Sequence, residues 1–266
     1  MFKKFPAVIS NNLIKNLHAD AENNETILTV MEYKILFALI SKIKKSDKKL
    51  LNYDIPVVDF CKFWDISYGG NQNKIISESV NSLSEKSYYT NNNPIKYLTS
   101  ESNVTNGIMH LQLDDSIYDY VINLDGNFTV FNLDIIEKFK SKFAIRLYMF
   151  FKMLENQKFY NINLPDAFKT FGDNIYLTKS QFNNNILKRS ISEINSKSDI
   201  SISYKFEKRF AEPEVIRFFI KPKNQQEKTT NIHNHKSIDI YVDPDPYTPN
   251  LGTIETVIID ESTLPF

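Results

Sequence analysis

Tyr53-Asp-Ile-Pro-Val-Val-Asp-Phe-Cys-Lys-Phe-Trp64 and Tyr160-Asn-Ile-Asn-Leu-Pro-Asp-Ala-Phe-Lys-Thr-Phe171 are two versions of one pattern, 107 residues apart. They agree at four of twelve positions (Tyr, Ile, Asp and Lys), and Val57/Leu164 and Trp64/Phe171 match in character. Each reads as a short strand, Asp54–Val57 or Tyr160–Leu164, running into a short helix. The first of these helices spans Val58–Trp64, and the second begins near Pro165, a favoured first helical position. A solenoid unit repeats every 20 to 50 residues or so. A period twice that long points to a duplicated domain.

The surroundings of the two copies match as well. Upstream of the first copy, Thr29 and Glu32 have capping-box spacing. Tyr33, Leu36, Phe37, Ile40 and Ile43 then recur at helical steps, which predicts a helix over 29–45. Upstream of the second copy, a helix over 141–156 starts at Ser141 and buries Phe143, Leu147, Phe150 and Leu154. Downstream of Gly69-Gly70, a helix fits 72–87 with Ile75, Ile76, Val80 and Leu83 on one face. Its counterpart runs over 179–195. Strands close each copy. In the first they are Ser87–Thr90 and Ile95–Thr99 around the Asn91-Asn-Asn-Pro94 turn, then Gly107–Leu113, with a short helix at Asp115–Val121. In the second they are Ile200–Phe206 and Glu214–Lys221.

Three helices followed by a hairpin describe a winged helix, a variant of the helix-turn-helix. The fold class is therefore α+β: two tandem winged-helix domains with a pseudo-two-fold internal repeat, plus a C-terminal tail. Asp125-Gly-Asn127 is the clearest break, which places the first domain at 1–127, the second at 128–224 and the tail at 225–266.

The 266 residues, 42% hydrophobic, suffice for two domains. Cys61 is the only cysteine, which excludes a disulfide framework and a cysteine-rich zinc site and suits a reducing cytoplasm. No window approaches a membrane span, and the stretch Met1-Phe-Lys-Lys-Phe-Pro6 lacks the apolar core of a signal peptide. Net charge is zero, but it is unevenly spread: −2 over 1–127, +7 over 128–224 and −5 over 225–266. A segment as basic as the middle one suits phosphate. A solvated basic face with no partner has the same composition.

Helix 179–195 is the candidate reader of double-stranded DNA. Phe182, Ile186, Leu187, Ile191 and Ile194 form its inward stripe. Its outward positions carry Lys179, Gln181, Asn184, Asn185, Lys188 and Ser192, with Arg189 at the edge. Asn and Gln bond adenine bidentately, while Lys and Arg suit guanine or phosphate. The helix holds one acid, Glu193. An ordinary amphipathic surface helix also has a polar outer face. In the first domain the equivalent positions are Asn73, Lys74 and Ser77, diluted by Glu78 and Glu85. That helix fits phosphate contact or plain exposure in a dimerising domain.

Two blocks resemble a known family. Phe128-Thr-Val-Phe131 leads into Ser141, Ala144, Arg146, Leu147 and Tyr148, the Ser-x-x-Ala-x-Arg-Leu-Tyr pattern of iteron-binding plasmid replication initiators. The second block is Phe182–Asn195, with its Leu and its Glu-Ile-Asn ending, followed by Ser198-Asp-Ile200. Weaker similarity reaches back to Asn12-Leu13, so the resemblance covers about residues 10–221. It implies tandem winged helices that bind direct repeats at a plasmid origin and open it with a host replication initiator or helicase. It also implies monomers in equilibrium with homodimers, the dimers repressing the protein's own promoter at an operator. The second domain then makes the main repeat contacts. Helix 179–195 takes the reading role, and Lys205, Lys208 and Arg209 take phosphate contacts at the wing. The wing turn, Glu207–Pro213, lacks the glycine of many relatives. Arg146 and Tyr148 read as interface buttresses rather than DNA contacts.

Other signals point elsewhere more weakly. His233-Asn-His235 with Tyr241 is similar to the metal site of rolling-circle nickases, but Asn stands where an apolar residue belongs and the surroundings are polar. No Gly-rich phosphate loop is present. The expectation is a non-enzymatic protein without cofactor or metal. A winged-helix transcriptional repressor with no replication role, an origin nickase and a protein–protein adaptor are the competing readings. The tail, with Asp243-Pro-Asp-Pro246 and an apolar end at Ile254–Ile259 and Leu264-Pro-Phe266, reads as flexible or as a partner-binding peptide.

Overall fold

Thr29 opens the first long helix as the sequence predicts. Its hydroxyl accepts from the Glu32 amide at 3.2 Å, and its own amide donates to the Glu32 carboxylate at 2.6 Å. In the computed structural model of the chain, the described residues are 5–19, 27–44, 52–90, 93–122, 124, 126–172, 178–208 and 214–223. Those up to Pro222 belong to one compact unit.

The first winged helix contains α2 (Val30–Ile40), β2 (Asn52–Pro56), α3 (Val57–Phe63) and α4 (Gly70–Glu85), after β1 (Ala7–Ser10) and α1 (Asn11–Ala19). A hairpin of β3 (Ser87–Thr90) and β4 (Asn93–Lys96) follows, then β5 (Asn103–Thr105), β6 (Ile108–Gln112) and α5 (Tyr118–Val121). The second winged helix contains β7 (Phe128–Phe131), α6 (Leu133–Lys138), α7 (Lys142–Met153), β8 (Phe159–Asn163) and α8 (Leu164–Phe171). It continues through α9 (Lys179–Gln181), a π-helical segment (Phe182–Lys188) and α10 (Arg189–Lys197), and it closes on β9 (Ile200–Glu207) and β10 (Val215–Pro222).

The duplication is visible in the strand pairing. The two three-stranded sheets have the same order, β2-β6-β5 and β8-β10-β9. Ile55 faces Met109 and Ile162 faces Ile216, and Tyr53 faces Leu111 and Tyr160 faces Phe218. The 107-residue offset of the letters therefore holds across the whole β2/β6 and β8/β10 pairing.

One expectation needs correction. The hairpin around Asn91–Pro94 is not the wing of the first domain. It forms a separate two-stranded sheet, with β4 at Asn93–Lys96 instead of Ile95–Thr99. The wing is β5–β6, closed by Asn106 (φ 52°) and Gly107 (φ 73°), an Asn-Gly turn of the mirror-image type that matches strand twist. Gly107 belongs to that turn and not to the strand. The expected helix over 29–45 ends at Ile40, where Ser41 caps it through a hydroxyl bond to the Ala38 carbonyl at 2.8 Å.

β1 pairs with β7, so the amino-terminal strand bonds to the strand that follows Asn127. Asn11 donates to the Asn127 carbonyl at 2.9 Å and its side chain bonds that of Asn127 at 2.7 Å. α1 packs on α7 and α8. Phe131 is fully buried at the junction, 5.5 Å from Phe37 of α2 and 6.0 Å from Tyr148 of α7 between ring centroids, both edge-to-face. The first helices of the two winged helices share this core.

Arg146 and Tyr148 are buried on α7. Arg146 donates to the carbonyl of Gly172 at 3.5 Å. Gly172 approaches the Phe168 carbonyl so closely that a Cβ would stand 2.3 Å from that oxygen.

Candidate nucleic-acid interface

Helix 179–197 begins with a second capping box. Thr178 accepts from the Gln181 amide at 3.3 Å, while its own amide donates to the Gln181 side chain at 3.0 Å. Phe182, Ile186, Leu187, Ile191 and Ile194 are all buried, as the periodicity predicts. Phe182 packs edge-on to Phe168 at 4.8 Å, which seats the reading helix on α8. The π-helical turn at Phe182–Lys188 is not legible in the sequence. It widens the helix where Asn183, Asn184 and Asn185 lie. Tyr204 of β9 donates from its hydroxyl to the Asn183 side chain and pins that widened turn to the sheet. Burial raises the Tyr204 hydroxyl well above the usual tyrosine range and keeps it a donor.

Gln181, Asn184, Asn185, Arg189 and Ser192 are exposed on the outer face, with Lys188 half-buried among them. Lys179 is also exposed but is engaged: its ammonium bonds Glu214 at 2.5 Å and stands 4.6 Å from the Phe206 ring centre. Lys208 is exposed at the end of β9, and Arg209 lies outside the described residues.

Lys205 does not join this group. Ile202, Tyr204 and Phe206 alternate toward the helix, so Ser203 and Lys205 project from the opposite face of the sheet. Lys205 bonds Glu207 at 2.9 Å there. Sequence reasoning also passed over Arg217, which lies beside Lys205 in register. The outward positions Val215, Arg217 and Phe219 of β10 carried the signal in their alternation.

In the first domain, α4 places Lys74 in solvent, with Glu78 3.8 Å away. Asn73 donates to the Tyr68 hydroxyl at 3.1 Å, and Ser77 is half-buried. These three are separate in character from the polar row on helix 179–197.

Two family models match the chain in order. One, described as Initiator Replication protein, WH1, covers residues 8–152, and the other, described as Initiator Rep protein, WH2, covers residues 163–220. The chain belongs to the initiator replication protein family. The initiator thus acts in DNA replication, with DNA as its partner class. No curated protein matches it. Two solved structures of domains 2 and 3 of RctB are similar, one as a selenomethionine derivative. The derivative is 13% identical with a TM-score of 0.49, over 75% of this chain and 84% of that one. The other is 14% identical with a TM-score of 0.44, over 76% and 85%. At these values the likeness adds nothing to the family match. Among the described residues, no helix is long and apolar enough to cross a membrane, and no cluster of His, Cys, Asp or Glu is placed to hold a metal. His233, His235 and Tyr241, and the tail as a whole, lie outside the described residues.

Proposed function

We propose that this initiator binds direct repeats in a plasmid origin as duplex DNA, with the outer face of helix 179–197 in the major groove. The observation that carries this reading is the division of that helix. Five apolar side chains are buried on one side, while Gln181, Asn184, Asn185, Arg189 and Ser192 are exposed on the other without a carboxylate among them. Those amides and cations match adenine and guanine edges. Lys208 reaches phosphate at the wing, and Lys74 of α4 supplies an auxiliary phosphate contact. Lys188 flanks the reading row.

The same reading includes a monomer–homodimer equilibrium, repression of the protein's own promoter by the dimer, and cooperation with a host replication initiator or helicase in the cytoplasm. It assigns no catalytic residue, metal or cofactor. The experiment titrates protein against duplex carrying the repeats beside its gene and against a scrambled duplex, at several salt concentrations. The expected outcome is at least about a thousandfold preference for the repeats, with a steep salt slope that Lys188→Ala/Arg189→Ala flattens. Equal binding to both duplexes, or full binding by the double variant, removes the reading. A repressor without a replication role binds the repeats equally well. It is separated by failing to replicate an origin plasmid when supplied in trans.

A further inference from the structure

The outer face of the second sheet, turned away from helix 179–197, has a composition that the fold does not require. Two rows cross it. Phe159 of β8, Phe219 of β10 and Ser203 of β9 are in register, and the next row is Asn161, Arg217 and Lys205. Phe159 is 54% exposed, among the most exposed large apolar side chains of the described residues. Arg217 lies 5.6 Å from the Phe159 ring centre and donates to the Asn161 side chain at 3.0 Å. Lys205 stands 5.9 Å from the Phe219 ring centre. Glu207 holds both cations, Arg217 at 3.2 Å and Lys205 at 2.9 Å, which leaves a net positive charge beside the rings. By strand alternation Lys221 adds another cation to this face.

The duplicated domain is an internal control. At the same 107-residue offset, the first sheet has Asn52 for Phe159, Asp54 for Asn161, His110 for Arg217 and Gln112 for Phe219. There Asp54 and His110 simply bond each other at 2.7 Å. The scaffold therefore folds with polar side chains at all four positions. An exposed ring such as Phe159 costs solubility and gains little from folding, so its presence on one sheet only calls for a ligand.

We infer that this face binds single-stranded DNA. Phe159 and Phe219 stand side by side on adjacent strands, about 4.8 Å apart, and the cationic row lies one same-face step, about 6.6 Å, along those strands. An aromatic row beside a cationic row then offers a base-stacking surface next to phosphate partners, tolerant of sequence because every base has a flat face. The guanidinium plane of Arg217, held by Asn161 and Glu207, is a further stacking surface. A duplex buries its base faces and has no use for Phe159. The inference rests on the origin-binding reading only for the source of the strand, since opening an origin exposes one.

The test uses the full chain and fluorescently labelled dT20, followed by anisotropy, beside the repeat duplex. Wild type binds dT20. Phe159→Ala weakens that binding roughly tenfold or more, the effect of losing one base stack. Phe159→Tyr, which keeps a ring, stays within about twofold of wild type. Both variants bind the repeat duplex as wild type does, which also shows that they fold. The inference is overturned if dT20 fails to bind, if Phe159→Ala binds it as tightly as wild type, or if excess repeat duplex displaces it. Full dT20 binding by Phe159→Ala would leave a protein partner as the occupant of the face. Loss of repeat preference in the duplex arm, with the dT20 arm as expected, would instead count against the origin-binding reading alone.

Discussion

Tyr148 donates a 2.9 Å hydrogen bond to Asp199, and through it α7 is fastened to the turn between helix 179–197 and β9. Lys152, one turn further along α7, bonds the same carboxylate at 2.9 Å and also holds Glu155. The Arg-Leu-Tyr signature of α7 thus sets the height of the reading helix over the core from behind, without touching its outer face.

Removing the shared acceptor tests this anchor. Asp199→Ala leaves a buried hydroxyl without its acceptor and is expected to cost about 2 kcal/mol. Tyr148→Phe leaves Lys152 on Asp199 and costs nearer 1 kcal/mol. Denaturant titration reads both as lower midpoints with an unchanged slope.

Alkaline pH acts on the same groups. Burial, aided by Asp199, raises the Tyr148 hydroxyl far above its ordinary range, and burial likewise raises Tyr88, Tyr97 and Tyr204. Tyr33 is pushed up by burial to about 12, against the lowering effect of Arg146. A raised folded-state value means that the native protein holds protons that the unfolded chain releases above about pH 10. Stability is therefore intact below pH 10 and falls as pH rises from there. Thermal melts from pH 7 to 11.5 are expected to be level and then to drop, less steeply in Tyr148→Phe. A melt unchanged at pH 11.5 would refute this.

Glu32 is almost wholly buried and takes both oxygens to Lys86, at 2.9 and 2.8 Å, while capping α2. Lys86→Met strands that carboxylate and is expected to cost about 3 to 5 kcal/mol. The double variant Glu32→Gln/Lys86→Met recovers part of the loss. A double-mutant cycle gives the coupling, and a coupling near zero would contradict the pair's role.

Glu214 holds Lys179 away from any ligand of the reading helix. Glu214→Gln removes a carboxylate from the phosphate side and releases the ammonium. Repeat-duplex affinity is expected to rise a few-fold, with a salt slope steeper by about one counterion. Unchanged affinity would place Lys179 outside the interface.

Much of this was legible because it is local. The strand–helix repeat at Tyr53 and Tyr160, the capping box at Thr29 and the inward stripe of helix 179–197 are all written within one or two turns of chain. The wing of the first domain was not, because Ser87–Thr90 has stronger strand chemistry than the three residues of β5, although Asn106-Gly107 signalled the turn. β1 escaped notice because its partner β7 lies some 120 residues on. The engagement of Lys179 and the outward direction of Lys205 depend on how β9 and β10 pack, which no single stretch records.

The β1–β7 pairing has a consequence for the order of synthesis. About 120 residues leave the ribosome between β1 and β7, so Ala7 and Ile9 stand prepared for a neighbour that has not yet been made. At roughly 5 to 20 residues per second, that gap lasts on the order of 6 to 24 s before β7 can cover them. During that interval the nascent chain carries an open strand edge, a handle for a chaperone and a hazard when two polysomes are close.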